Sequence, residues 1–169
     1  MRITTTIALC GLIALPVQAA EMKVEVNIPR LNVAEYHRPY VAIWVEGADQ
    51  AARANLAVWY QQTTTSEGAG TKWLPDLRQW WRRTGRTLKV PVDGVTGPTK
   101  PAGRHALTFD ARHPELKKLP PGDYTLVVEA AREVGGRELV RIPFKWGGAS
   151  TGSAQGKTEL GRVALTTTR

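Results

Sequence analysis

The stretch Asp93-Gly94-Val95-Thr96-Gly97-Pro98-Thr99 sets two hydroxyls between an acid and the base Lys100. Gly94 and Gly97 free the backbone around them. A hydroxyl presented this way suits accepting a transferred group. The same residues also read as two turns, Asp-Gly and Gly-Pro, joining a pair of strands. Other chemistry is thinner. His37, His105 and His113 show no i, i+4 pairing and no metal spacing, so no metal site is expected. Gly148-Ala149-Ser150-Thr151-Gly152 fits G-x-S-x-G, but no helix follows to make a nucleophile elbow. Gly152 to Thr158 nearly spells a phosphate loop, yet is one residue short and also lacks a helix. No catalytic residues are expected, and a carrier or binding module fits better than an enzyme.

Composition narrows the setting. Arg2 precedes an apolar run from Ile7 to Val17, and small residues follow at Ala19 and Ala20. Residues 1–20 read as a secretory signal cleaved near Ala19 or Ala20, too short for a membrane span. Residues 21–169 then form a single domain in the periplasm, and no other segment is long and apolar enough to span a bilayer. Cys10, the one cysteine, lies in the signal, so cysteine-held metals and disulfides are excluded from the mature chain. Removing the signal leaves 22 basic against 15 acidic residues, a charge of +7. That balance favours anionic partners, and export argues against nucleic acid.

The elements that must position these residues are mostly strands. Met22 to Ile28 alternates apolar and polar, and Pro29 ends it. Tyr40 to Val45 is apolar on both faces, as a central strand of a layered fold would be. Gly47 to Arg53 turns the chain, and Leu56 to Tyr60 is a third strand. Trp73 to Arg83 reads as a short helix closed by Gly85. Its stripe is Leu74, Leu77 and Trp81, with Trp80 off centre and partly exposed. Leu88 to Val92 and Arg104 to Phe109 read as strands, with His105, Leu107 and Phe109 on one face of the latter. One helical turn is expected within Asp110 to Leu119.

Tyr124 to Trp146 reads as a β-hairpin around Gly135-Gly136. A two-residue Gly-Gly loop would set the apolar residues of the two strands on opposite faces. A three-residue Val134-Gly135-Gly136 loop is therefore preferred, pairing Val128 with Ile142 and Leu126 with Phe144. Gly147 to Gly156 reads as a mobile loop, and Leu160 to Leu165 as the last strand. The expected fold is mainly β: an immunoglobulin-like or fibronectin-like β-sandwich of about 7–8 strands with one short helix.

Three blocks then stand out together: Arg38-Pro39-Tyr40-Val41-Ala42-Ile43-Trp44, the Lys72-to-Arg83 tryptophan segment, and Gly122-Asp123-Tyr124 through Gly135-Gly136-Arg137-Glu138. They resemble a family of predicted periplasmic proteins, domain of unknown function 2271. The Asp93–Thr99 loop resembles the D-x-x-[ST]-G-A-T motif on which exported redox proteins receive FMN as a phosphoester on the last Thr. Asp93, Thr96, Gly97 and Thr99 match, with Lys100, Pro101 and Gly103 behind them. Pro98 departs from the pattern, standing where Ala is expected. Val134 stands where the family often has His.

The resemblance implies a periplasmic electron-transfer flavoprotein with FMN covalently on Thr99. Asp93, Thr96, Gly97 and Lys100 would form the rest of the cofactor site. Asp93 would position the metal or hydroxyl during attachment, Lys100 and Arg104 would neutralise the phosphate, and Trp73, Trp80 or Trp81 would stack on the ring. The implied partners are an FAD:protein FMN transferase and a membrane-bound flavin reductase. The competing expectation is a cofactor-free adaptor that docks a protein through the tryptophan helix or a sheet edge. An accessible Thr99 beside aromatic and basic side chains favours the first. A Thr99 buried or tied into a tight turn favours the second.

Overall fold

The computed structural model describes residues 20–66 and 68–169. The expected signal therefore lies outside the described residues, except for Ala20. Eleven strands run in chain order: β1 Glu21–Ile28, β2 Tyr40–Glu46, β3 Ala52–Tyr60, β4 Thr64–Thr65, β5 Gly68–Ala69, β6 Thr96–Pro98, β7 Gly103–Asp110, β8 Gly122–Ala131, β9 Arg137–Trp146, β10 Ser150–Gln155 and β11 Arg162–Thr167. One α-helix, α1, spans Arg78–Arg83, between 3-10 turns at Gly70–Asp76 and Gly85–Thr87. A third 3-10 turn, Leu116–Lys118, supplies the helical turn expected there.

The strands form the expected β-sandwich. One sheet runs β10-β11-β1-β7 and the other β6-β3-β2-β8-β9, with β4-β5 a small separate pair. Pairing is antiparallel except between β3 and β6. The alternation of β1 places Met22, Val24, Val26 and Ile28 in the core between the sheets, against Val41, Ile43, Leu126, Val128, Ile142 and Phe144. Leu107 and Phe109 face the same core.

β2 is buried on both faces because the second sheet carries a second core on its outside. Ala42, Trp44, Val58 and Val127 there meet Leu74, Leu77 and Trp80 of the tryptophan segment. That segment corrects the sequence reading. Leu77 leaves helical geometry at ψ 67, so the expected single helix breaks into a 3-10 turn and α1. The stripe is rephased as a result. Trp80 is fully buried, while Trp81 is half-buried. Gly85 is needed for close approach rather than as a cap: a Cβ there would lie 2.5 Å from the Trp80 ring.

Three other expectations change. Leu88 to Val92 joins no sheet. Pro91 removes a donor there, and Leu88, Val90 and Val92 pack on the second core instead. Ser150–Gln155, expected to be loose, is strand β10, paired along its length with β11. Its small residues are required because it crosses β9: a Cβ on Gly152 would lie 2.6 Å from Ile142. The hairpin keeps the expected faces but slips by two, pairing Leu126 with Ile142 and Val128 with Val140. The three-residue loop is thus Glu133-Val134-Gly135, with Val134 at φ 51 and Arg132 N–H donating to Gly136 O at 3.0 Å. Glu159 selects this register. It accepts from Arg132 Nε at 2.9 Å and Nη2 at 3.1 Å, and from Gly136 N–H at 2.8 Å.

Two carboxylates, one buried and one half-buried, tie the layers together. Glu129, fully buried, accepts from the backbone N–H of Gln79 at 3.0 Å and of Trp80 at 2.8 Å, and from Arg137 Nη1 at 2.8 Å. Glu138 accepts from the N–H groups of Lys157, Thr158 and Leu160 at 2.5–2.9 Å.

Two outcomes follow. Glu129→Ala strands two helix N–H groups and Arg137, and should cost about 3 kcal/mol in urea unfolding. Burial alone would raise the Glu138 carboxyl, but the Leu160, Thr158 and Lys157 N–H groups outweigh it and hold it below its ordinary value. The stability it contributes is present above the unfolded carboxyl value of about 4.3 and is lost as pH falls through the lower folded value. Glu138→Gln should flatten the acid side of the stability profile measured by urea titration between neutral and acid pH.

Candidate functional site

The Asp93–Thr99 stretch is not one loop. Val95 N–H and Thr96 N–H both donate to Val92 O, at 3.1 and 2.9 Å, making a tight turn. Thr96 Oγ1 donates to Val92 O and accepts from Val92 N–H, each at 3.0 Å. The Thr96 hydroxyl is therefore committed to structure. Gly94 takes the positive φ, +73°, that this turn requires. Thr96, Gly97 and Pro98 then form β6, alongside Val58, Trp59 and Tyr60. Pro98 is tolerated because β6 is an edge strand. Gly97 is extended there, so its expected role as a flexible joint is not used.

Thr99 leaves the end of β6 half-buried. Among the described residues its hydroxyl has no hydrogen-bond partner. It lines a cavity of about 260 Å³ with Tyr36, Arg38, Tyr40, Gln61 and Trp73. His37, Asp76, Ala131 and Glu133 complete the wall. Trp73 carries Lys72 Nζ 4.7 Å from its ring centroid. Tyr40 donates to Gly70 O at 3.0 Å, and burial pushes its phenol up, so it stays protonated. His37 Nε2 lies 2.8 Å from Glu35 and Nδ1 3.6 Å from Glu133, linking the β1–β2 segment to the hairpin tip.

Of the sequence-derived site, Thr99 alone lines this cavity. Lys100, its neighbour, lies over Trp59 with Nζ 5.7 Å from the centroid. Asp93 is exposed in the turn before β6. Trp73 faces the cavity. Trp80 does not, because it is buried and donates to Asn55 at 2.9 Å. Tyr36, Arg38 and Gln61 were not legible as site residues. The segment between Pro29 and Pro39 has no periodicity; an aromatic, a histidine and an arginine in succession at 36–38 were its one signal. The histidines have separate engagements: His105 Nε2 is 2.8 Å from Pro101 O, and His113 packs on Phe109. Among the described residues no three His, Cys, Asp or Glu side chains converge as a metal site.

A family model described as predicted periplasmic protein (DUF2271) matches residues 21–162. No curated protein and no solved structure matches the chain. Among the described residues no helix is long and apolar enough to cross a membrane.

The two motif glycines should behave differently. Gly94→Ala forces a side chain into positive φ and should cost about 1 kcal/mol. Gly97→Ala places a Cβ 3.6 Å from Trp59, an ordinary contact, and should leave the thermal midpoint nearly unchanged. Thermal unfolding followed by tryptophan fluorescence distinguishes the two.

Proposed function

Because the chain belongs to the DUF2271 family of predicted periplasmic proteins, we propose that it is a periplasmic redox carrier holding FMN covalently on Thr99. One observation carries this reading. The Thr99 hydroxyl is free of internal hydrogen bonds among the described residues, and Thr99 lines a cavity with Tyr36, Tyr40, Trp73 and Arg38.

The residues fit part of such a group. Whole-ligand pockets run to about 300–1,000 Å³, and a cavity of about 260 Å³ is on the scale of a ring system. Trp73 and Tyr36 offer flat apolar faces. Arg38 on the cavity wall, and Lys100 next to Thr99 in the chain but over Trp59, offer charge to a phosphate, while Asp76 and Glu133 disfavour an anion on their side of the cavity. Attachment is a group transfer performed by a partner, an FAD:protein FMN transferase. Thr99 Oγ forms a bond to the FMN phosphorus, the pyrophosphate bond of the FAD donor breaks, AMP leaves, and the hydroxyl proton passes to solvent. The flavin, once bound, supplies reversible electron transfer with a membrane-bound reductase. This chain supplies position and electrostatics, and is a carrier rather than an enzyme.

A second reading, the cofactor-free adaptor, draws on Trp81. It lines a shallow cavity of about 320 Å³ with Pro75, Arg78, Arg82 and Arg137, a surface suited to an acidic protein.

Intact mass separates the two readings. Co-produced with an active FMN transferase, the wild-type chain and Thr96→Ser should each gain one FMN less water, and Thr99→Ala none. No gain on wild type, with the transferase active on another substrate, would remove the flavin reading and leave the adaptor.

A further inference from the structure

The positive charge of this chain is unevenly spent. Arg132 is matched by Glu159, Arg137 by Glu129 and Arg141 by Glu46, whereas Arg78, Arg82 and Arg86, on and beside α1, have no carboxylate partner among the described residues. Arg30, Arg38, Arg104 and Arg162 have no carboxylate partner among the described residues. All four gather at the end of the sandwich where β1 finishes.

Their placement follows from the register. Asn27 pairs with Arg104 on β7. Val26 pairs with Val163 on β11, which sets Arg162 opposite Asn27 on the other side. Arg104 and Arg162 therefore flank Asn27 on the outer face of the sheet and line a cleft of about 310 Å³. Asn27 also lines a larger cleft of about 840 Å³ with Arg30, Arg38, Asn32 and Tyr36. Asn27 thus borders both clefts. Of the nearby acids, Glu25 lies 3.3 Å from Lys23, and Glu35 and Glu133 are both held by His37; Asp76 faces the Thr99 cavity on the other side of Arg38.

Apolar groups share this surface. Val33 and Tyr36, 42% and 38% exposed, project from the segment bounded by Arg30 and Arg38. Unpaired guanidinium groups lining concave seats suit phosphate-sized anions. Exposed apolar side chains set among them add the second signal that stable membrane association needs.

We propose that this end of the sandwich rests on an anionic phospholipid surface, with headgroup phosphates seated between Arg30 and Arg38 and Val33 and Tyr36 at the acyl boundary. This goes beyond the flavin reading and shares two residues with it, since Tyr36 and Arg38 border both the Thr99 cavity and this face. A carrier so oriented would bring the Arg38 wall of the Thr99 cavity toward the membrane.

Vesicle flotation tests the proposal on the mature protein. The chain should float with vesicles of equal parts phosphatidylglycerol and phosphatidylcholine, fail to float with pure phosphatidylcholine, and release as salt rises. At about 1 kcal/mol per basic residue near an anionic surface, Arg30→Gln with Arg38→Gln should lower the partition coefficient roughly thirtyfold. Arg30→Lys with Arg38→Lys should retain most binding. Arg86→Gln with Lys89→Gln removes the same charge from residues lining neither cleft and should have a much smaller effect. Val33→Ser with Tyr36→Ser should weaken binding without changing its salt dependence. Equal flotation with both vesicle types would overturn the proposal, as would unchanged binding of the Arg30→Gln with Arg38→Gln variant. Failure to float, together with arginine-dependent binding to a purified acidic protein, would assign the surface to a protein partner instead.

Discussion

Glu129 is the carboxylate on which the outer layer depends. It sits on β8 with no exposed surface, where an unpaired charge would be prohibitive. Three donors satisfy it, and two of them are the first free N–H groups of α1. The other end of the helix is tied to the same sheet. Asn55 accepts from Trp80 Nε1 at 2.9 Å and donates to Thr84 Oγ1 at 3.1 Å. A six-residue helix is too short to be stable alone. It persists because polar groups of the sheet hold both ends while Leu77 and Trp80 fill the space between. Glu46 supports the same layer, accepting from Trp44 Nε1 at 2.9 Å and from Arg141.

This anchoring reaches the site through chain connectivity. From Thr84 the backbone turns at Gly85–Thr87 and packs Leu88, Val90 and Val92 on the second core. Val92 then closes the turn that launches β6 beside β3. Thr99 is the first residue beyond that strand. The tryptophan layer therefore acts as the spacer that sets where Thr99 emerges, and Trp73, at its other end, supplies one wall of the cavity there. Part of the layer turns inward to be buried and part turns toward the site. That division explains why Trp80 and Trp73, alike in the sequence, have different surroundings.

Much of the fold was legible because burial imposes a period. β1 alternates, β2 is apolar throughout, and the hairpin strands keep the expected faces even though the register slips. The slip came from Glu159, distant in sequence, which no local pattern announces. β10 was missed because its pairing is carried by backbone, with small side chains that resemble a linker. The Trp80 and Trp81 exchange came from one non-helical residue, Leu77. At the candidate cavity, Thr99 was singled out in the sequence by its motif, while Tyr36, Arg38 and Gln61 come from connections whose residues follow no period. The strands were readable from their own chemistry; the site needed the three-dimensional meeting of several loops.

The same reasoning explains where the unpaired charge lies. Residues on strands face neighbours at fixed spacing, and the β9 arginines Arg137 and Arg141 find Glu129 and Glu46 in this way. Arg30 and Arg38 sit in a segment free of such pairing, and Arg104 and Arg162 stand at the end of their sheet, where the next row is solvent. Among the described residues none of the four makes a side-chain hydrogen bond or ion pair within the chain. Four exposed cations without an internal partner, set around two clefts that share Asn27, suit an anionic surface outside the chain.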